Sequence, residues 1–172
     1  VSCKIEFARV QRRIDPRRAL VNVISKSGGT AETMAQYLVV RKWLEDAMGP
    51  AATRHFVFTT DPKKGALREI ATRDGIAALE VPPEVGGRFS VLSPVGLFPA
   101  AMTGVDIDAM LAGAVAMKQR LANPHWRENP ACVLAAVKVL MFTRKGKPMH
   151  VMMPYSNRLY MLADWYRQIW AE

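Results

Sequence analysis

The sequence has little of several features that would narrow its function. Its 172 residues include only two cysteines, Cys3 and Cys132, whose separation matches no metal-binding or redox motif. One apolar run, residues 130–142, contains Lys138 and is too short to span a bilayer. The first residues lack the apolar core of a signal peptide. We therefore expect a protein without a membrane-spanning segment that works in the reducing cytoplasm.

Several sequence motifs for cofactors and metals are also absent. The chain contains neither the G-x-x-x-x-G-K-[ST] pattern of nucleoside triphosphate sites nor the G-x-G-x-x-G pattern of dinucleotide sites. The three histidines, His55, His125 and His150, do not pair at ligand spacing. We therefore predict no metal site and no bound cofactor.

Positive charge is in clear excess. The net charge is +9, and six basic residues lie within the first 18 positions: Lys4, Arg9, Arg12, Arg13, Arg17 and Arg18. Such a charge is compatible with nucleic acid or an anionic small substrate as the partner, but a solvated helix face is the preferred explanation. Because the aromatic residues are not interleaved with the basic ones, we do not expect a nucleic-acid partner.

Apolar segments and breaks alternate in the first half of the chain. The pattern predicts strands at residues 19–24, 55–59 and 76–81, with helices at residues 31–48 and 64–74 between them. This order is typical of an α/β protein with a parallel sheet and right-handed crossovers. A helix is also expected at residues 5–14.

The pattern changes after residue 86. Helices are expected at residues 93–101, 107–121, 131–142 and 157–172. One further strand is expected at residues 147–153, where a second α/β unit would begin.

A polar loop follows the first expected strand, and the rest of the chain is organised around it. The loop is Ser25-Lys26-Ser27-Gly28-Gly29-Thr30, and a helix opens at Ala31. Unpaired N–H groups, hydroxyl donors and the positive end of a helix dipole together favour an anion. The two glycines allow the backbone to approach a bound group closely. A plain Ser/Gly turn is the alternative interpretation.

Two further places carry candidate chemistry. Arg88 follows two glycines, and its permanent positive charge can stabilise an oxyanion, although a surface turn explains the same residues. Gln168 and Glu172 are four residues apart and share a helix face. A carboxylate among apolar neighbours can act as a general base, and a solvated helix edge is the alternative for this pair.

Three segments together resemble a known family. They are VISKSGGTAET (residues 23–33), GGRFSVLSPVGLFPAAMTGVD (86–106) and VMMPYSNRLYMLADWYRQIWAE (151–172), and they resemble glucose-6-phosphate isomerases of the bacterial type. The resemblance covers about residues 15–172. It implies the family's sugar-isomerase (SIS) fold, a three-layer α/β/α arrangement with a parallel sheet, truncated here at both ends. The implied domains are a partial first SIS domain at 1–104, a helical connection at 105–146 and the start of a second SIS domain at 147–172.

The resemblance also implies roles for particular residues. The family's phosphate-binding positions fall on Ser25, Lys26, Ser27, Thr30 and Gln168. Arg88 matches the arginine that stabilises the enediolate, and Glu172 matches the catalytic base. The implied reaction of glycolysis and gluconeogenesis interconverts glucose 6-phosphate and fructose 6-phosphate through a cis-enediol, without a metal, in a homodimer.

The sequence departs from the family pattern in several places. Gly29 stands where a second threonine is common, and residues 1–14 match poorly. The chain starts at Val1 rather than Met, and the family's first strand and its ring-opening histidine and lysine have no counterpart here. We therefore expect a partial chain with little or no activity by itself. A non-catalytic phosphosugar-binding SIS domain of a regulator or amidotransferase is the alternative, and an RNA-binding fragment is a third.

Overall fold

The computed structural model describes the backbone of residues 2–171 and the side chains of residues 8–171. The chain divides into two compact units, Val1–Pro99 and Ala100–Glu172. The first unit contains a parallel sheet with flanking helices. The second unit is helical over its described residues.

The first unit alternates strands and helices. Its regular elements are α1 (Ser2–Arg13), β1 (Val21–Ser25), α2 (Ala31–Met48), β2 (Phe56–Thr60), α3 (Ala66–Asp74) and β3 (Ala77–Glu80), followed by α4 (Pro94–Met102), within which the unit boundary falls. Short 3₁₀ helices lie at Pro16–Arg18, Gly49–His55 and Gly87–Leu92. The strands form a parallel sheet in the order β1-β2-β3, which confirms the predicted α/β fold.

Strand register determines which side chains reach the core. Val23 of β1 pairs with Phe58 of β2, which pairs with Ala78 of β3. Because side chains alternate along a strand, Phe56 and Phe58 point to the same face. There both rings meet Tyr37 of α2 edge-on, with centroid distances of 5.4 Å and 5.2 Å. These three rings form the centre of the hydrophobic core.

The spacing of apolar residues in the sequence predicts a main buried stripe on α2, and this prediction is confirmed at the centre of the stripe. The predicted stripe consists of Met34, Tyr37, Val40, Leu44 and Met48. Tyr37, Val40 and Leu44 are buried, while Met34, Met48 and Trp43 are partly buried against the core. The sequence also predicted burial on a second side through Trp43 and Val39. Val39 is 51% exposed, so that prediction is wrong for Val39.

Arg41 joins α2 to α3 through charged hydrogen bonds. Its guanidinium donates to Asp74 at 2.5 Å, to Glu45 at 2.7 Å and to the Tyr37 hydroxyl at 2.9 Å. Asp74 also accepts a hydrogen bond from Arg73. The Arg73 and Arg41 guanidiniums lower the pKa of Asp74 to about 2, while Glu45 and Asp74 raise the pKa of Arg41. The two helices are therefore held together by an ion pair at the margin of the core.

The second unit contains three further regular helical segments. They are α5 (Ile107–Leu121), α6 (Pro130–Lys145) and α7 (Tyr160–Ala171), with a 3₁₀ turn at Asn157–Leu159 before α7. The side chain of Asp106 caps α5, and that of Asn129 caps α6. α6 continues three residues beyond its predicted end, because the helix stops only where Gly146 adopts a left-handed conformation at φ 59°.

The predicted strand at residues 147–153 is not formed. This segment has no regular secondary structure, and no strand among the described residues pairs with it. Met149, Val151 and Met153 are 86%, 70% and 75% exposed. An alternating apolar pattern predicts a strand, but a strand also needs a neighbour with which to share its backbone hydrogen bonds.

Among the described helices, none combines the length and the apolar character needed to cross a bilayer.

The Asp74 ion pair makes a prediction for acid stability. Because the pKa of Asp74 is lower in the folded chain than its ordinary value of about 3.9, its contribution is present above that value. The contribution is lost as the pH falls from about 4 towards 2. We expect Asp74→Asn to lower the free energy of unfolding by about 2 kcal/mol at pH 7 and to weaken its dependence on pH below 4. Urea unfolding followed by circular dichroism at several pH values measures both effects.

Asp46→Asn is the matched control, since Asp46 pairs with Lys42 on the exposed side of α2, the helix that carries Arg41. This variant should change the stability by less than about 0.5 kcal/mol. Equal losses in the two variants would contradict a special role for the Arg41–Asp74 pair.

Candidate functional site

The carboxyl ends of the three strands lie side by side. Ser25 of β1 is in register with Thr60 of β2, which is in register with Glu80 of β3. The segments that follow are called here the β1 loop (residues 25–30), the β2 loop (residues 61–65) and the β3 loop (residues 81–88). Open parallel sheets bind ligands at this edge, where loops and helix N-termini converge.

The β1 loop brings two of the predicted hydroxyls together. Ser25 is buried, and its Oγ lies 3.1 Å from Oγ1 of Thr30. Gly28 N donates to the carbonyl of Ser25 at 3.2 Å, and Gly29 N donates to Oγ of Ser27 at 3.3 Å. Thr30 occupies the N-cap position of α2, but its side chain makes no capping hydrogen bond. The first N–H groups of α2 therefore remain available as anion donors beside the paired hydroxyls.

A close backbone approach holds the β1 loop in place. Gly28 has φ 67°, and a Cβ there would lie 3.0 Å from the backbone N of Leu67 in α3. Gly65 has φ 99°, and a Cβ there would collide with the carbonyl oxygen of Ser27. The β1 loop thus rests directly on the backbone that opens α3, and a side chain at either glycine would separate them.

Sequence reasoning found Gly28 but missed Gly65. It placed Gly65 inside a helix beginning at Lys64, whereas α3 begins at Ala66. The available signal was a glycine near the start of a helical segment and after a polar Asp-Pro-Lys-Lys turn.

Asp61 orders the β2 loop. Its carboxylate accepts hydrogen bonds from Lys63 N at 2.8 Å and Lys64 N at 3.1 Å, and its own N–H donates to the carbonyl of Lys26 at 3.2 Å. The Lys63 N–H contributes most to a lowered pKa of Asp61, and the charges of Lys64 and Lys26 lower it further. This carboxylate was not singled out from the sequence, although Asp before Pro is a common turn signal.

Lys26 connects the β1 loop to the β3 loop. Its ammonium donates to the carbonyl of Pro83 and to that of Val85, both at 2.7 Å. The sequence suggested Lys26 as a phosphate ligand, and that role stays a prediction. The contacts with Pro83 and Val85 could not be derived from the sequence pattern.

Arg88 lies in the β3 loop, in the same unit as the β1 loop. The sequence predicts a loop at Gly87 and Arg88, whereas Gly87–Leu92 forms a 3₁₀ helix that begins after Gly86. Phe89 N donates to the carbonyl of Gly86 at 3.0 Å, and the Ser90 hydroxyl donates to the carbonyl of Gly87 at 2.5 Å. The exposed Arg88 side chain is therefore carried by an ordered turn.

The second unit carries Gln168 on the exposed side of α7. On another side of this helix, the rings of Tyr166 and Trp170 stack on each other. The Lys138 ammonium lies 3.8 Å from the Trp170 ring centroid and donates to the Tyr166 hydroxyl at 2.7 Å. These contacts join α6 and α7 on a side of α7 other than the one that carries Gln168. Glu172, the predicted catalytic base, lies outside the described residues.

The histidines make separate local contacts. His55 Nδ1 lies 2.7 Å from the carbonyl of Ala19, His125 lies near Glu128, and His150 Nδ1 lies 2.9 Å from the Tyr166 hydroxyl. Over the part of the chain that the structure describes, no three His, Cys, Asp or Glu side chains form a group able to hold a metal ion.

The fold and the β1 loop define an α/β protein with paired hydroxyls and a helix N-terminus at the carboxyl edge of its sheet. The comparisons identify its family. The model of the phosphoglucose isomerase family, described as "Phosphoglucose isomerase", matches residues 3–172. The chain is 48% identical over 166 residues to a glucose-6-phosphate isomerase of Carboxydothermus hydrogenoformans, covering 96% of this chain and 36% of the relative. It is 51% identical over 160 residues to that of Rubrobacter xylanophilus, covering 92% of this chain and 37% of the relative.

Two solved structures are also similar to this chain. A hypothetical protein of Thermus thermophilus superposes with a TM-score of 0.86 at 46% identity, covering 94% of this chain and 38% of that one. A glucose-6-phosphate isomerase of Chlamydia trachomatis superposes with a TM-score of 0.80 at 28% identity, covering 94% of this chain and 31% of that one. The chain belongs to the phosphoglucose isomerase family and spans a little over a third of the length of the curated relatives compared here.

The close approach of the Gly65 backbone to the carbonyl of Ser27 leads to a prediction about the stability of the chain. We expect Gly65→Ala to destabilise the chain by more than about 3 kcal/mol, because it adds strain at a positive φ to a collision with a backbone carbonyl. Thermal unfolding measures the loss.

Gly75→Ala is the matched control. Gly75 has φ 66°, but nothing lies within 4 Å of a Cβ at that position. The control should therefore lose only about 1 kcal/mol. If both variants lost the same amount, the contact between the β1 loop and α3 would not be a structural constraint.

Proposed function

We propose that this chain provides the phosphate-binding loop, the arginine and the base of an aldose–ketose isomerase that interconverts glucose 6-phosphate and fructose 6-phosphate. The observation that carries the proposal is the paired Ser25 and Thr30 hydroxyls at the N-terminus of α2, in a chain of the phosphoglucose isomerase family. The relatives that are 48% and 51% identical to this chain are named glucose-6-phosphate isomerases.

The phosphate group of the substrate would bind to the β1 loop. The hydroxyls of Ser25, Ser27 and Thr30 and the first N–H groups of α2 supply donors, and the helix dipole favours the negative charge. Gln168 completes the predicted phosphate-binding set. The family resemblance also places Lys26 in it, but the Lys26 ammonium is engaged by the carbonyls of Pro83 and Val85. Binding energy from this remote group would orient the reacting carbons.

The reaction moves one proton between neighbouring carbons. The Glu172 carboxylate would remove the proton from C2 of the open-chain aldose, giving a cis-enediol, and would return it to C1 to give the ketose. Arg88 would stabilise the negative charge on the oxygen while the carbon–carbon double bond exists. These roles follow from the positions of both residues in the family's motifs.

The wider organisation is part of the same proposal. We infer that the first unit represents a partial SIS domain, that residues 105–146 connect it to a second SIS domain beginning at residue 147, and that the whole enzyme works as a cytoplasmic homodimer. The family resemblance supports this organisation.

The phosphate site can be tested by calorimetry with fructose 6-phosphate. We expect binding that free fructose does not reproduce and that the double variant Ser25→Ala, Thr30→Ala weakens at least about tenfold, because two hydroxyl donors to a charged group are lost. The double variant Thr53→Ala, Thr72→Ala is the control, since those hydroxyls donate to backbone carbonyls away from the β1 loop. Binding that survives the loss of Ser25 and Thr30 hydroxyls would contradict the phosphate site.

Proton transfer can be tested separately by nuclear magnetic resonance in deuterium oxide. An isomerase should introduce deuterium at C1 of fructose 6-phosphate, and Glu172→Gln should abolish the exchange while phosphate-dependent binding remains. Binding without exchange in the parent chain would instead favour a phosphosugar-binding domain that needs further protein segments for chemistry, or a non-catalytic one.

A further inference from the structure

The contact between Lys26 and the β3 loop has a role beyond phosphate binding. We propose that Lys26 is a positioning residue, whose ammonium ties the β3 loop to the β1 loop and thereby sets the distance from Arg88 to the bound phosphate. The inference rests on the proposed function where it concerns substrate, and on the geometry alone where it concerns the tether.

The contact of Lys26 with the β3 loop spans the position of strand β2. Because β2 lies between β1 and β3, the strands that precede the two loops are separated by about 10 Å at a spacing of about 4.8 Å per strand. Lys26 bridges this gap with a flexible four-carbon stem and reaches two carbonyls, those of Pro83 and Val85, at 2.7 Å each.

The ammonium is well matched to its partners. It offers three donors, and the two carbonyl oxygens accept two of them. Both carbonyls belong to a turn closed by the hydrogen bond from Val85 N to the carbonyl of Pro82 at 3.1 Å. Lys26 therefore fixes an already ordered turn rather than a single residue.

The turn leads directly into the segment that carries Arg88. Residues 86 and 87 are glycines, which widen the range of backbone conformations open to the link between Val85 and Arg88. On the other side, the carbonyl of Lys26 accepts the N–H of Asp61, which anchors the base of the lysine to the β2 loop. The three loops at the carboxyl edge are thus connected through one residue.

The two possible roles of Lys26 predict different losses. A direct phosphate ligand would contribute equally to inorganic phosphate and to a phosphorylated sugar acid. A positioning residue would contribute mainly to the sugar acid, whose carboxylate mimics the enediolate and would contact Arg88.

Amide hydrogen exchange tests the tether without any ligand. In Lys26→Met we expect the Val85 and Phe89 amides to exchange at least about tenfold faster, because the turn loses two charged hydrogen bonds. The Gly28 amide, bonded within the β1 loop, should stay within about twofold of the parent chain. Lys63→Met, which removes an exposed lysine of the β2 loop, is the charge-matched control and should change neither.

Calorimetry with two probes tests the consequence for Arg88. In Lys26→Met the affinity for inorganic phosphate should fall by less than about threefold, while that for a phosphorylated sugar acid should fall at least about tenfold. Combining Lys26→Met with Arg88→Met should add little to the loss caused by Arg88→Met alone, because both changes remove the same interaction.

The outcomes distinguish the positioning role of Lys26 from the proposed function of the chain. Unchanged exchange at Val85 and Phe89, equal losses for both probes, or independent effects of Lys26 and Arg88 would overturn the tether. Global unfolding of both Lys26→Met and Lys26→Gln would also overturn it, since it would place Lys26 in the stability of the fold. Faster exchange in a chain that binds neither probe would retain the tether and reject the proposed function.

Discussion

The parallel register of three strands is the constraint on which the site depends. Because Ser25, Thr60 and Glu80 stand in one row, the chain must leave the sheet three times at the same edge. The loops that follow the strands are therefore crowded together. At Gly65 the backbone lies so close to the carbonyl of Ser27 in the β1 loop that a Cβ would collide with it. Hydroxyls, helix N-terminus and arginine-bearing turn therefore belong to one edge, although they are far apart in sequence.

Much of the fold could be predicted from the sequence because its signals are local. Helices α2 and α5 begin and end at the predicted residues, where Gly49 ends α2 and Asp106 caps α5. The strands moved by one or two residues, since their limits are determined by pairing. β2 begins at Phe56 because His55 closes a 3₁₀ helix and binds the carbonyl of Ala19.

The contacts that complete the site could not be predicted in the same way. The β1 loop was recognisable from its hydroxyls and glycines, but the partners of Lys26 lie 57 and 59 residues further along the chain. The need for glycine at position 65 depends on the position of Ser27, which no local pattern reveals. For residues 147–153, in contrast, a prediction from a local pattern was wrong. The segment has the alternating apolar pattern of a strand, but none of the described strands pairs with it.

Because the segment at residues 147–153 is unpaired, the methionines of the two units differ in their exposure to solvent. Met149 and Met153 present their thioethers almost entirely to solvent, whereas Met34 and Met48 pack against the core of the sheet. An oxidant such as peroxide converts accessible methionines to polar sulfoxides and reaches packed ones slowly. Oxidative damage would accumulate in the second unit and change the surface around residues 147–153, leaving the packed methionines of the first unit in their reduced form.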